Sequence, residues 1–159
     1  MYEEETYERR EGPGCFSTII AWALVILWAA AIYYASSRTS SYLDAGQGFL
    51  GAAYTWLAAK LSAFLGRTVD PSPLGHFFEY FVFGGLITNA LRHHMSLGAA
   101  AIFAVLIVAA YATSDEIHQI YVDGRSPDVH DWIVDMVAAA IAVGVASLFL
   151  PGGRRRVRD

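Results

Sequence analysis

Long apolar runs with few charges recur along this chain, and they constrain its fold more than any other feature. Runs of roughly 15 to 20 residues have the length that a helix needs to cross the hydrocarbon core of a bilayer. Of the 159 residues, 55% are apolar and only 16% are charged, which excludes an ordinary soluble globule. The sequence therefore predicts an all-α polytopic membrane protein.

Four of these runs are predicted to be transmembrane helices, and they cover residues 16–34, 74–91, 97–114 and 131–150. The stretch 46–65 is too polar and too interrupted by glycine to be a span. Five of its residues can share one helical face, namely Phe49, Ala53, Trp56, Leu57 and Phe64. We interpret this stretch as an interfacial helix that lies on the membrane, so the expected fold is a bundle of four transmembrane helices with this helix beside it.

The segments that flank the predicted transmembrane domain, residues 16–150, carry opposite charges. Residues 1–15 contain five glutamates against Arg9 and Arg10, the wrong sign for the start of a signal peptide, so we expect an acidic tail. Residues 151–159 contain four arginines and form a basic tail. Seven Lys and Arg residues fall on the side of both termini and four on the other side, which predicts that both termini are cytoplasmic.

Net charge and cysteine content narrow the possible partners and cysteine-based sites of this chain. The formal net charge of −4 argues against a nucleic-acid partner. The single cysteine, Cys15, excludes an internal disulfide framework and a cysteine-based zinc site. The lipid bilayer is the partner that the composition indicates, and the sequence leaves the oligomeric state open.

Polar side chains gather at one end of three predicted spans. Within each set the spacing of three, four or seven residues places them on one helical face. The sets are His76 with Glu79, Asp115 with His118, Glu116 with Gln119, and Asp128 with Asp131 and Asp135. Glu79 and Asp135 lie about a turn inside apolar runs, where an acidic group costs roughly 2–3 kcal/mol or more. Such a cost indicates a functional residue or the partner of one.

The carboxyl groups cannot all be ionised, close together and unpaired when Arg125 is the one permanent positive charge nearby. Either they share protons, or His76 and His118 are cationic, or Arg125 folds over the site, or a metal cation lies among them. The donors would suit Zn²⁺, Mn²⁺ or Mg²⁺, but the spacing matches no specific metal signature, so any metal or cofactor stays unassigned. We expect one outward-facing pocket to contain His76, Glu79, Glu116, His118, Arg125 and Asp135. In it, Arg125 is the expected charge partner of Glu79 and Asp135.

Other residues have simpler explanations. Asp128 follows Pro127 just before a predicted helix and has the position of an N-cap, and Asp131 in the first turn suits the helix dipole. His93 and His94 are expected to be interfacial polar residues. A stripe of small residues predicts close helix packing in the last span, at Ala138, Ala142 and Ala146.

The polar segments resemble the VanZ-like family of small bacterial membrane proteins, which is named for a member associated with resistance to the glycopeptide teicoplanin. The resemblance rests on His-Phe-Phe-Glu-Tyr-Phe at 76–81, on the run 115–125 that begins Asp-Glu-Ile-His-Gln, and on the aspartates at 128, 131 and 135. Family members often have Pro at the position of Asp123 and Asn at that of Asp135. The resemblance implies a multi-pass protein of the bacterial cytoplasmic membrane with a link to antibiotic resistance.

Three hypotheses of different classes follow. In the first, the pocket binds a glycopeptide or a cell-envelope precursor and lowers susceptibility to the drug, with binding residues Arg125, Asp115, Gln119, Asp131 and Asp135. In the second, the protein is an enzyme that performs acid/base chemistry on a lipid-linked substrate at the outer leaflet, with Glu116 or His118 as base and His76 and Glu79 as orienting groups. The third hypothesis is proton or cation transport. The first and third predicted spans lack matching polar residues deep in the membrane, which argues against it.

Overall fold

The computed structural model describes residues 14–38 and 48–150, with the backbone alone for residues 48–50. The predicted basic tail and nearly all of the predicted acidic tail lie outside the described residues, as do residues 46 and 47 of the predicted interfacial stretch. Within the described ranges the secondary structure is helical and contains no strand. The helices are α1 (Cys15–Ser36), α2 (Gly48–Leu65), α3 (Ser72–Leu91), α4 (Leu97–Gln119) and α5 (Val129–Phe149). The predicted all-α class is confirmed.

Local sequence signals account for several helix ends. The Asp128 carboxylate accepts a hydrogen bond from the backbone N–H of His130 at 2.8 Å and caps α5, which confirms its predicted role. Ser96 caps α4 in the same way through the backbone N–H of Ala99. Gly66 follows α2 with a φ of 66°, a left-handed conformation that favours glycine. Of these signals, the cap at Asp128 fixes the end of α5 that carries Asp131 and Asp135.

Three helices, α1, α4 and α5, have the length and apolarity of membrane spans. Their mean hydropathies are 2.3, 2.1 and 2.1, respectively. Three of the four predicted transmembrane helices are therefore supported. α3 is 20 residues long, enough to cross a bilayer, but it is not among the candidate spans.

α3 is the central helix of the bundle. It packs most extensively against α5 and also contacts α4, α1 and α2. Its side chains Tyr80, Phe83 and Ile87 are almost completely buried. Because much of its surface contacts protein, α3 can carry polar residues such as His76, which explains why it is less apolar than its neighbours.

Small residues allow α3 and α5 to approach closely. A Cβ atom at Gly84 would lie 3.1 Å from the Cα atom of Ala139, so the two backbones nearly touch. Ala138 and Ala142 are buried, as predicted, and Ala146 is half-buried. This contact sets the register that brings the polar start of α3 beside the polar start of α5.

Large apolar side chains cover the outside of the candidate spans. Examples with more than half of their surface exposed are Ile26 and Leu27 on α1, Leu106 on α4 and Leu148 on α5. An apolar surface of this extent is unfavourable in water and matches the hydrocarbon of a bilayer. The chain is therefore a multi-pass membrane protein.

Candidate functional site

A cavity of about 170 Å³ lies where the start of α3 meets the ends of α1 and α4. α2 and the loop between α4 and α5 complete its wall. Five of the residues predicted for the site line it: His76, Glu79, Asp115, Gln119 and Arg125. The volume exceeds the roughly 10–15 Å³ that one water requires, so the cavity can hold several waters or a small polar group.

His76 joins α3 to α5 through two carboxylates. Its Nδ1 lies 3.1 Å from Asp135 Oδ1 and its Nε2 lies 3.5 Å from Asp131 Oδ2. The two aspartates are four residues apart on α5, so both face the imidazole. Because each ring nitrogen faces a carboxylate, the protonated imidazolium is the form that can donate from both sides. We call this arrangement of His76, Asp131 and Asp135 the clip; it joins α3 to α5 at the cavity, which His76 also lines.

The prediction that Arg125 is the charge partner of Asp135 is wrong. Asp135 is fully buried, and His76 occupies the position of its partner. The physical reason is depth: Asp135 lies one helical turn inward from Asp131, where the imidazole from α3 reaches it directly and the loop arginine does not.

Arg125 instead lies on the cavity wall. Its Nε donates a hydrogen bond to the backbone carbonyl of Arg38 at 3.3 Å, which ties the loop to the end of α1. Within residues 14–38 and 48–150, no carboxylate lies within 4.0 Å of its guanidinium nitrogens. The remaining guanidinium nitrogens are therefore available to a ligand.

Glu79 faces the same cavity from α3. Its backbone carbonyl accepts a hydrogen bond from the indole N–H of Trp28 at 2.9 Å, which fixes α3 against α1. Among the described residues, no cationic side chain lies within 4.0 Å of its carboxylate. The structure thus places Glu79 and Arg125 on one wall without joining them in an ion pair, contrary to the prediction that they pair.

Glu116 lies behind the loop rather than on the wall of the cavity. Its Oε2 accepts a hydrogen bond from the backbone N–H of Asp128 at 2.7 Å. This contact joins α4 to the start of α5 and closes the loop that carries Arg125. Its other oxygen, Oε1, is buried without a hydrogen-bond partner among the described residues.

His118 lies against α1 and is likewise not on the cavity wall. Its Nε2 is 3.0 Å from Ser37 Oγ, and its ring centroid is 4.6 Å from that of Tyr33. The structure therefore separates the two predicted bases, Glu116 and His118, from the residues that line the cavity.

Several residues of the site are not apparent from the sequence. Tyr54 of α2 and Asp70 of the following turn line the cavity. The Tyr54 ring lies 3.4 Å from the position of a Cβ atom at Gly75, so the absence of a side chain there lets α2 approach α3. Nothing in the stretch 46–65 singles out Tyr54, because its role depends on how α2 folds over the bundle.

Buried polar atoms without partners surround the clip. In the described part of the chain these include Tyr80 Oη, Gln119 Nε2 and Asp135 Oδ2. Tyr80 follows His76 by four residues on the same face of α3, a spacing that could have identified it. Among the described residues there is no group of three or more His, Cys, Asp or Glu side chains placed to hold a metal ion. The arrangement offers hydrogen-bond donors and acceptors for polar recognition.

The opposite end of the bundle is held by two histidines. His93 Nδ1 lies 3.0 Å from Thr18 Oγ1, and His94 Nε2 accepts a hydrogen bond from the Trp22 indole N–H at 2.9 Å. Both contacts join the turn after α3 to α1. Burial, with Arg92 and His94 nearby, lowers the pKa of His93.

A comparison with protein families finds a match over most of the chain. The family model described as VanZ/LLP1 matches residues 19–150. This range contains every residue of the cavity wall. No curated protein sequence and no solved structure matches the chain.

Proposed function

The chain belongs to the VanZ-like family, VanZ/LLP1, and on this premise we propose that its cavity binds the polar end of a lipid-linked cell-envelope component and that this binding lowers susceptibility to teicoplanin-type glycopeptides. The observation that carries the proposal is the cavity itself. Ionisable and hydrogen-bonding groups from α3, α4 and the loop converge on it, beside helices whose outer surfaces suit lipid.

The size of the cavity favours a small polar group as its occupant. Its volume of about 170 Å³ admits a headgroup or the end of a peptide, whereas a complete glycopeptide is far larger. The rest of a lipid-linked ligand can remain in the bilayer, next to exposed side chains such as Phe77 and Phe78 at the start of α3. We therefore propose that the protein acts on an envelope component and that its effect on the drug is indirect.

Orientation is part of the proposal. The excess of Lys and Arg on the side of the termini supports cytoplasmic termini, with α3 crossing as a fourth span inside the bundle. The cavity then faces outward, where envelope components and glycopeptides are found.

The test is a susceptibility assay in a teicoplanin-sensitive bacterium. Cells that express the protein should have a higher inhibitory concentration of teicoplanin than cells with the empty vector, while that of an antibiotic with a cytoplasmic target is unchanged. Glu79→Gln and Arg125→Gln should remove the protection at equal amounts of membrane-inserted protein. Asp123→Asn is the matched control, because Asp123 is an exposed acid outside the cavity wall. Full protection by both cavity variants would overturn the proposal.

A second function, an enzyme with acid/base chemistry, is favoured by one observation. The Glu79 carboxyl reaches the cavity without a cationic partner among the described residues, so it is free to exchange a proton with a bound group. Glu79 replaces Glu116 and His118 as the candidate base, because those two lie off the wall. Mass spectra of envelope lipids from cells with the wild type and with Glu79→Gln distinguish the functions: an enzyme yields a new product that the variant lacks, whereas a binding protein yields none.

A further inference from the structure

The charges on the cavity wall indicate what kind of group binds there. We propose, resting on the function proposed above, that the cavity recognises a zwitterion with a primary ammonium and a phosphate, as in the aminoethyl-phosphate headgroup of a phospholipid. In this arrangement the ammonium lies between Glu79 and Asp115, and the phosphate is bound by Arg125 with Gln119.

The first step of the argument is the surplus of acid on the wall. Glu79 and Asp115 line the cavity, and no cationic side chain in the described ranges lies within 4.0 Å of either carboxylate. His76 makes no ion pair with either of them, because its two ring nitrogens face Asp131 and Asp135, whose two carboxylates outnumber its single charge. A ligand with a positive group therefore restores the local charge balance.

The second step concerns the kind of cation. A primary ammonium has three N–H donors, which two carboxylates can accept. A quaternary ammonium has no N–H donor and binds best within several aromatic faces. Among the described residues that line the cavity, Tyr54 alone has a phenol ring. The wall therefore favours a primary ammonium over a trimethylammonium group.

The third step concerns the anion. Arg125 lines the cavity and uses its Nε for the Arg38 carbonyl, and a guanidinium can bind phosphate oxygens through its remaining donors. A second donor is present: Gln119 is 1% exposed, lines the cavity, and its Nε2 has no hydrogen-bond partner among the described residues. A buried amide donor without a partner is unfavourable unless a ligand or water accepts from it.

The side chain of Arg38 does not supply the positive charge that Glu79 and Asp115 lack. The guanidinium carbon of Arg38 lies 4.1 Å from the Tyr34 ring centroid, and Arg38 is not on the cavity wall. A ligand that carries both a positive and a negative group therefore suits this wall better than an anion alone, because Glu79 and Asp115 would repel an anion.

Thermal unfolding of the purified full chain in detergent micelles tests the inference. The probes are dihexanoyl phosphatidylethanolamine, phosphatidylcholine and phosphatidylglycerol, and free phosphoethanolamine. We expect the phosphatidylethanolamine to raise Tm by roughly 3 °C or more and the other two lipids to have at most a small effect. A shift with phosphoethanolamine as well assigns the recognition to the headgroup. Equal shifts with all three lipids, or a shift with phosphatidylglycerol alone, would overturn the inference.

Substitutions on the cavity wall test whether the selective rise in Tm comes from binding in the cavity. Glu79→Gln and Arg125→Gln should lose the selective shift, whereas Asp123→Asn should keep it. Asp115→Asn is a second test of the ammonium position in case Glu79→Gln folds poorly. A selective shift that survives in all three cavity variants would contradict the inference. If the lipids give no selectivity while Glu79→Gln still abolishes protection in cells, the headgroup inference fails and the proposed function stands.

Discussion

His76 of α3 and Asp135 of α5 lie 3.1 Å apart, Nδ1 to Oδ1, at the buried junction of the two helices. Asp131 approaches the other ring nitrogen from one turn further out, at 3.5 Å. This clip fixes the starts of both helices relative to each other and so shapes the cavity in front of it.

Removal of the imidazole should therefore destabilise the bundle. His76→Ala leaves the fully buried Asp135 carboxylate without its partner, and we expect a loss of about 3–5 kcal/mol. Asp135→Asn should be milder, because its amide oxygen still accepts from the imidazole N–H. Unfolding in a mixed detergent and SDS series measures both. His130→Ala is the control, since its side chain is 92% exposed; equal effects of the two His→Ala variants would refute the role of the clip.

We expect Glu116 to stabilise the loop between α4 and α5 and not to take part in catalysis. Glu116→Ala removes the acceptor for the Asp128 N–H and should cost about 1–3 kcal/mol, while Glu116→Gln keeps an acceptor and should cost less. Trypsin cleavage after Arg125 in the folded protein reports on the loop. It should be faster in Glu116→Ala than in the wild type, and an unchanged rate would contradict this role.

The contact between α3 and α5 leaves no space for a methyl group. Gly84→Ala places a Cβ atom 3.1 Å from Ala139 Cα and should destabilise the protein by about 1–3 kcal/mol. Gly85→Ala is the matched control, because no atom lies within 4 Å of its Cβ position and alanine favours the helix by about 1 kcal/mol. Thermal stability should fall in the first variant and stay constant or rise in the second. The opposite order would show that the two helices pack differently.

His93, at the end of the bundle opposite the cavity, should make the stability of the protein depend on pH. Because the folded protein lowers the pKa of His93 from its ordinary value of 6.5, the unfolded chain binds this proton more readily. The contribution is therefore present above pH 6.5 and is lost as the pH falls below it. The decrease in Tm between pH 8 and pH 5 should be smaller in His93→Gln than in the wild type and unchanged in the control His130→Gln. An identical decrease in all three proteins would exclude a role of His93.

The proposed orientation can be tested with a reporter fused after Asp159. A reporter that is active only in the cytoplasm should be active, because the excess of positive charge on that side retains it there. A second fusion in the loop at Asp123 should be active only with a reporter that requires export. The reverse pattern would place the cavity on the cytoplasmic side.

Much of the candidate site was already indicated by spacing along single helices. The intervals between His76 and Glu79, and between Asp131 and Asp135, predicted shared faces because helical periodicity is local. On α4 the predicted pairs were Asp115 with His118 and Glu116 with Gln119, but only Asp115 and Gln119 line the cavity. The roles of Glu116 and His118 could not be predicted in this way, because each is decided by a residue distant in sequence, Asp128 and Ser37.

The sequence by itself determined the helices, the three strongly apolar spans and the cap at Asp128, since these follow from hydropathy, length and hydrogen bonds between near neighbours. Only the tertiary structure decided that His76 rather than Arg125 pairs with Asp135, and that Tyr54 closes the cavity. The reason is that the rotation of one helix against another depends on packing at the interface, here Gly84 against Ala139. A side chain's partner across that interface is set by this rotation and not by its position in the chain.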